Sequence, residues 1–244
     1  MEVGSNTAVF SFKNEATIRV DTGQRITVKI NPDLDDNLIR FFVLGWGMAT
    51  ILYQRGFLVL HGSAVAIQGR VAAFIGVPGA GKSSLAASLY SRGHSIVTDD
   101  NLAVASMNGT LRVSPAFPQL RVSPAVAQAL GIDLRSLVPL NDHKGKFGLR
   151  IGKQFADSRL PLNCIYIIEE GAELEITPVG YMESIIELTR HSFPTRIRKP
   201  ANAQHFLNCS SLAKAIPIYR LKRPKLLGLL PELSRSIEAH IMTI

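Results

Sequence analysis

The residues between 76 and 83 have the types and spacing that bind the phosphates of a nucleoside triphosphate. They match the pattern G-x-x-x-x-G-K-[ST], whose glycines let the backbone curl so that its N–H groups face the phosphates. In this pattern Lys82 reaches the β and γ oxygens, and Ser83 is a ligand for Mg²⁺. The nucleotide-binding residues expected here are Gly76, Val77, Pro78, Gly79, Ala80, Gly81, Lys82, Ser83 and Ser84. The pattern predicts ATP and Mg²⁺ as cofactors.

The flanks of this loop have the composition of a strand and a helix. Residues 70–75 form a short apolar run typical of a buried strand, and residues 84–90 have helical composition. A strand, a Gly-rich loop and a helix N-terminus would then follow in the order that an anion site needs. The alternative is a Gly-rich strand-to-helix turn that binds no ligand.

Two adjacent carboxylates, Asp99 and Asp100, follow the loop at the end of an expected strand at 94–98. Phosphoryl transfer needs one carboxylate for Mg²⁺ and another to accept the proton of the attacking hydroxyl. Adjacent strand residues point to opposite faces, but a bend at a strand end would let both reach one cleft. The alternative is an acidic turn that caps the next element.

Four segments of the chain resemble the catalytic core of the HPr kinase/phosphorylase family. Residues 60–65, 76–84, 91–94 and 98–100 match its His-Gly strand, phosphate loop, Arg-Gly-His turn and Asp-Asp pair in order and spacing. The resemblance implies that Asp99 is the catalytic base and that Asp100 and Ser83 are the Mg²⁺ ligands. It also implies that Lys82 is catalytic and that His61, when protonated, keeps Asp99 ionised. The implied fold is α/β, a P-loop kinase core with a mixed central sheet and flanking helices.

Two further segments, 115–121 and 217–221, are similar to the shorter HPr-kinase-like proteins of lasso-peptide gene clusters. Those proteins phosphorylate a precursor peptide near its C-terminus. The chain is too short for the separate N-terminal domain of the bacterial HPr regulators, and it lacks their signature segment after the Asp pair. We therefore expect neither phosphorylase activity nor HPr as the substrate.

The composition of the chain limits the kinds of protein that it can be. The chain has 244 residues, 46% of them hydrophobic, which is ample for a packed core, and neither a membrane-span pattern nor a signal-peptide pattern is present. A cytoplasmic location is expected. Two cysteines, Cys164 and Cys209, lack metal-ligand spacing and are not expected to be catalytic, and Cys164 is expected to be buried because it lies inside an apolar run.

The net charge of +8 is concentrated in residues 190–225, which contain no Asp or Glu. Such a stretch predicts a positive surface for an anionic partner, or simply a solvated basic face. No nucleic-acid-binding motif accompanies it, so a nucleic-acid partner is not expected. The oligomeric state stays open, a homo-oligomer included. The basic residues in question are Arg190, Arg196, Arg198, Lys199, Lys214, Arg220, Lys222, Arg223 and Lys225.

Hydrophobic periodicity predicts an N-terminal β-rich extension, residues 1–57, and a catalytic domain, residues 58–244. The extension should contain a hairpin at 17–30 and a buried helix at 35–57 that is weakened at 45–47. In the catalytic domain we expect antiparallel strands at 58–67 and 70–75, a hairpin around 108–109 and a central strand at 162–168. Residues 141–153 should form a polar loop, and helices are expected at 181–191, 201–215 and 229–244.

These observations favour an ATP-dependent kinase that acts on a Ser hydroxyl of a peptide, for which the C-terminal Ser of a lasso-peptide precursor is the narrowest candidate. Arg150 or Arg196 would add positive charge at the transferring phosphoryl group. Two alternatives stay open, namely an HPr-type kinase/phosphorylase and a non-catalytic nucleotide-binding scaffold.

Overall fold

The computed structural model describes residues 2–3, 6–12, 15–32, 36–140, 145–197 and 203–244, and it begins with a small antiparallel sheet. The four strands lie in chain order and include the expected hairpin. Buried and more exposed residues alternate along the third strand, as in a sheet with one packed face. The strands are β1 (Glu2–Val3), β2 (Thr7–Phe12), β3 (Ala16–Asp21) and β4 (Arg25–Ile30).

A helical segment covers the packed face of this sheet. It consists of α1 (Asp36–Phe42), a π-helical turn (Val43–Gly47) and α2 (Met48–Gln54). The helix expected at 35–57 is thus confirmed within the described residues, and its weak step is the π-helical turn. Phe10, Ile18 and Phe42 form the core of this unit together with Val59 and Phe193 from later elements. The extension therefore packs against the rest of the chain.

The remaining elements build a central mixed sheet, a small three-stranded sheet and the helices that pack against them. The strands are β5 (Leu58–Ile67), β6 (Arg70–Ile75), β7 (Ser95–Met107), β8 (Thr110–Val113), β9 (Gln119–Val122), β10 (Leu137–Pro139), β11 (Phe147–Arg150), β12 (Leu160–Glu170), β13 (Glu175–Pro178) and β14 (Ile218–Arg223). The helices are α3 (Lys82–Ser91), α4 (Pro124–Ala129), α5 (Tyr181–Arg190), α6 (Phe193–Arg196), α7 (Ala203–Ala215) and α8 (Leu230–Ile241).

The central sheet has seven strands in the order β13-β14-β12-β6-β5-β7-β8. β12 is parallel to both β6 and β14, and the other neighbours are antiparallel, including the predicted pair of β5 and β6. Alternate residues of β6 enter two cores: Phe74 faces α3 and α8, and Ala73 and Ile75 face α5 and α7. The predicted α/β class, with a mixed sheet between helices, is confirmed. The division at residues 57 and 58 into two domains stays a prediction.

Two predicted boundaries are wrong. β7 does not end before Asp99 but continues through both aspartates to Met107, because residues 99–104 stay paired with β5. The expected loop at 141–153 contains β11, which lies between β9 and β10 in a small antiparallel sheet. Residues 141–144 of that loop lie outside the described residues.

Both cysteines are buried in the core, and burial raises the pKa of Cys164 to about 12 and that of Cys209 to about 11. The described helices include none that is long and apolar enough to cross a membrane.

Candidate active site

The loop from Gly76 to Gly81 connects β6 to α3, and three of its glycines adopt positive φ. The φ values are +153° at Gly76, +85° at Gly79 and +99° at Gly81. A Cβ at Gly76 would lie 2.7 Å from the carbonyl oxygen of Ile168 on the neighbouring strand, so only glycine fits there. The sequence thus forms a tight turn that places the N-terminus of α3 at the end of the central strands, where anions bind.

Lys82 is the first residue of α3, and its side chain lies beneath the loop. It is only 7% exposed, and Nζ donates hydrogen bonds to the carbonyl oxygens of Gly76 at 2.9 Å and Val77 at 3.1 Å. The loop therefore holds a buried ammonium group at its centre. A phosphate bound to the loop would meet this charge directly.

Asp99 lies opposite the loop and accepts three hydrogen bonds. Its Oδ1 accepts from the hydroxyls of Ser63 at 2.6 Å and Ser83 at 2.9 Å. Its Oδ2 accepts from the backbone N–H of Arg121 at 2.9 Å. These bonds join β5, β7, β9 and the first turn of α3 at one carboxylate. Ser63 is a site residue that the sequence analysis did not identify, and its pairing with Asp99 follows from the β5–β7 register.

Asp100 reaches the same cleft because its backbone leaves the strand conformation. Its φ is +82°, which cancels the usual alternation of side chains along β7. His61 Nδ1 lies 3.1 Å from Asp100 Oδ1 and 3.2 Å from the Asp100 carbonyl oxygen. Both neighbours are acceptors, so Nδ1 carries the proton. Arg121 Nη1 lies 3.4 Å from Asp100 Oδ2.

The contacts differ in two respects from the pairing implied by the resemblance, and the roles that the resemblance implies stay predictions. His61 contacts Asp100 and not Asp99, because the β5–β7 register places His61 beyond Ser63, the residue that reaches Asp99. Ser83 donates to Asp99, whereas the resemblance paired it with Asp100.

A cleft of about 550 Å³ joins all of these groups. Its lining includes Arg121, Lys146 and Arg190, and the sequence analysis assigned no role to Arg121. Arg121 belongs to segment 115–121, which is similar to the HPr-kinase-like proteins of lasso-peptide gene clusters. This similarity is the only signal in the sequence that could have identified Arg121 as a site residue. The other cleft residues are Phe41, His61, Gly62, Ser63, Gly76, Pro78, Gly79, Gly81, Lys82, Ser83, Ser84, Asp99, Asp100, His191, Ser192 and Thr195.

His191 stays neutral at the back of the cleft. Burial, followed by the charges of Lys82 and Arg190 and by His61, lowers the pKa of His191 to about 4. Its carbonyl oxygen accepts a hydrogen bond from the backbone N–H of His61 at 2.8 Å, which ties the end of α5 to β5. His191 therefore adds no charge near neutral pH but positions the strand that carries His61.

Of the two arginines expected at the transferring phosphoryl group, Arg150 does not line the cleft. Arg150 is exposed and lines a second cavity, and the side chain of Arg196 lies outside the described part of the chain. Lys144, Arg198 and Lys199 also lie outside it.

The basic stretch at 190–225 is not a continuous run of unpaired positive charge. Carboxylates from earlier elements pair with three of its members: Glu187 with Arg190, Glu169 and Glu183 with Arg220, and Glu175 with Lys222. Arg223 instead donates to the carbonyl oxygen of Ala80 in the loop at 2.6 Å. One of these basic residues therefore holds the phosphate loop, and the sequence predicted only a surface role.

Ser83 and Asp99 are suitable ligands for Mg²⁺. Both offer hard oxygen donors, and they already touch each other at 2.9 Å. The described residues contain no cluster of three or more His, Cys, Asp or Glu side chains that could hold a metal on its own. Mg²⁺ usually takes one or two protein ligands and completes its shell with water and phosphate oxygens.

No protein-family model and no curated protein matches the chain. Among solved structures, the chain is similar to the Hpr(Ser) kinase/phosphatase from Coxiella burnetii, with 14% sequence identity and a TM-score of 0.39. The similarity covers 76% of this chain and 99% of that chain. A TM-score of this size assigns neither a family nor an activity.

Proposed function

We propose that the protein is an ATP-dependent kinase that phosphorylates a Ser hydroxyl of a peptide. The observation that carries the proposal is the contact of Ser83 with Asp99 across the cleft, with Lys82 beneath the loop and Asp100 beside them. Phosphoryl transfer requires a loop that binds the phosphates, oxygen ligands for Mg²⁺ and a second carboxylate that accepts a proton.

Lys82 and the N-terminus of α3 would bind the β- and γ-phosphates of ATP. Ser83 and Asp99 would hold Mg²⁺, which neutralises charge on the phosphate oxygens and orients them. Arg121, Arg190 and Lys146 line the same cleft and would supply further positive charge around the transferring group.

Asp100 is the better placed proton acceptor. Asp99 accepts the hydrogen bond of the Ser83 hydroxyl and would hold the metal, whereas Asp100 contacts His61 and Arg121, and both carboxylates lie where the cleft meets a second cavity. As the Ser oxygen of the acceptor bonds to the γ-phosphorus and the bond to the ADP oxygen breaks, the hydroxyl proton would pass to Asp100. The Nδ1–H of His61 orients this carboxylate.

The narrowest form of the proposal names the C-terminal Ser of a lasso-peptide precursor as the acceptor. It is supported by the resemblance of segments 115–121 and 217–221, the first of which contains Arg121. A cytoplasmic enzyme that uses ATP and Mg²⁺ would be consistent with this role. A short precursor gene beside genes for a cyclase and a protease would support it.

The proposal is tested by incubating the purified protein with γ-labelled ATP, Mg²⁺ and Ser-containing peptides, and by identifying phosphoserine with mass spectrometry. The Lys82→Met variant keeps the length of the side chain but removes its charge, so transfer should fall at least about 100-fold. The matched control Lys153→Met changes an exposed lysine and should transfer like the wild type. Nucleotide binding without transfer to any peptide would instead favour a scaffold, and transfer to HPr would favour the HPr-type kinase.

A further inference from the structure

An apolar groove of about 340 Å³ opens on the side of the aspartate pair away from the phosphate loop. It shares Phe41, Asp99, Asp100 and Arg121 with the cleft, so the two cavities meet at the carboxylates. None of residues 76–83 lines the groove. Its apolar lining is made by Phe41, Leu44, Met48, Leu52, Ala103, Ala116, Phe117, Val138 and Leu140.

The groove wall nearest the carboxylates is held in place by specific bonds. The buried Asn101 side chain donates to the carbonyl oxygens of Leu44 at 2.9 Å and Gly45 at 3.0 Å, where the π-helical turn runs. A Cβ at Gly45 would lie 3.9 Å from Asp100 Oδ2, so this backbone passes close to the carboxylate. A π-helical turn inside a helix is frequently associated with a functional site.

A second link joins the extension to the carboxylates. The guanidinium of Arg121 lies over the Phe41 ring at 5.0 Å from its centroid, and the same group reaches Asp100. The N-terminal extension therefore builds one side of the space in front of the proposed proton acceptor.

The charges around the groove are unequal. Asp99 and Asp100 are the only carboxylates in its described lining, and they lie where it meets the cleft. Arg40 and Arg150 line the groove but not the cleft and are exposed, and their side chains make no hydrogen bond or ion pair with any described residue. The groove thus has an apolar surface next to the carboxylates, and Arg40 and Arg150 place positive charge in the part of the groove that the cleft does not share.

We propose that this groove binds the acceptor peptide, with a bulky apolar side chain next to the phosphorylated Ser and an acidic side chain beyond it. The inference rests on the proposed kinase function, because it places the acceptor hydroxyl at Asp100. An adenine base is the less suitable occupant of the groove. The γ-phosphate is the end of ATP farthest from the base, and it is this end that should face the carboxylates where the groove begins. A separate cavity of about 190 Å³, lined by residues 77–80, adjoins the other side of the loop and offers the nucleoside a place.

The test uses two degenerate heptapeptide pools, one with a fixed central Ser and one with a fixed C-terminal Ser, offered to the full chain with Mg²⁺ and either labelled ATP or a non-hydrolysable analogue. The peptides that are phosphorylated in the presence of ATP and the peptides that stay bound to the protein in the presence of the analogue are sequenced separately. The wild type should enrich Leu, Met or Phe beside the Ser over Gly by at least about 10-fold, as expected for burial of one large side chain.

Phe117→Asp should abolish this enrichment, and because Phe117 is 47% exposed the change should leave the fold intact. Ala116→Trp, a second exposed position, fills the groove and should give the same loss. The matched control is Phe206→Asp, which changes a phenylalanine that is 50% exposed outside the groove and should behave like the wild type. Arg150→Glu should remove the preference for acidic residues.

The possible outcomes distinguish an error in the assignment of the groove from an error in the proposed kinase function. Transfer without apolar preference, or equal enrichment in wild type and Phe117→Asp, would overturn the groove assignment and leave the kinase intact. Enrichment among retained peptides with no phosphorylation would support the groove and refute the kinase. A loss of nucleotide affinity in Phe117→Asp with peptide selection unchanged would assign the groove to the nucleoside. Sedimentation showing that Phe117→Asp dissociates a dimer would assign it to a second copy of the chain.

Discussion

Exchanging the two adjacent carboxylates one at a time should separate metal binding from proton transfer. Asp99 accepts three hydrogen bonds, two of them from the hydroxyls of Ser63 and Ser83. In Asp99→Asn, a neutral amide oxygen replaces the proposed metal ligand. A contact to a charged group contributes about 1.5–3 kcal/mol, so the Mg²⁺-dependent affinity for ATP should fall about 10- to 150-fold. Asp100→Asn should keep nucleotide affinity within about 3-fold and lose transfer by at least about 100-fold.

The assay is titration of a fluorescent ATP analogue with and without Mg²⁺, followed by single-turnover transfer to a Ser peptide. Asp157→Asn changes an exposed carboxylate outside the cleft and serves as the matched control. The reasoning would be refuted if Asp100→Asn lost the Mg²⁺ dependence while Asp99→Asn kept it. Ser83 would then pair with Asp100 in the working enzyme.

Three further changes test how the site is supported. Gly81→Ala should destabilise the protein by about 2 kcal/mol in urea, because φ is +99° and the new Cβ would displace the Arg223 guanidinium from its hydrogen bond to the Ala80 carbonyl oxygen. Gly79→Ala, at φ +85° with nothing within 4 Å, should cost about 1 kcal/mol. His191 has a folded pKa near 4 against about 6.5 unfolded, so stability should drop by about 1 kcal/mol as pH falls from 6.5 to 5, and His191→Gln should flatten that part of the pH profile. Asn101→Ala leaves two carbonyl groups of the π-helical turn without their side-chain donor, so unfolding should become about 2 kcal/mol easier and amide exchange in residues 43–47 faster; unchanged exchange would contradict the role of Asn101.

Strands β5 and β6, the Gly-rich loop and α3 could be predicted because their signals are local. The Gly-rich run, its apolar strand and the turn dipeptides at 68–69 and 108–109 each act within a few residues. The paired strands β5 and β6 followed from their short separation in sequence. The α/β class and the antiparallel pairing of β5 and β6 could therefore be predicted from the sequence.

The contacts within the site could not be predicted, because they depend on register and on backbone conformation. One positive φ at Asp100 decides that both carboxylates face one cleft, and nothing in the residue type marks it. The β5–β7 register decides that Ser63 faces Asp99. The groove depends on a helix and a loop far apart in sequence, so no local pattern indicates that Phe41 and Phe117 line one cavity.

The most direct test of the central claim is a crystal structure with a non-hydrolysable ATP analogue and Mg²⁺. The account predicts the β- and γ-phosphates within the loop from Gly76 to Gly81, with Lys82 turned from the loop carbonyl groups toward them, and the metal between Ser83 and Asp99. The γ-phosphate should face Asp100 at the mouth of the apolar groove. Phosphates bound elsewhere, or a metal held without Ser83 and Asp99, would contradict the account.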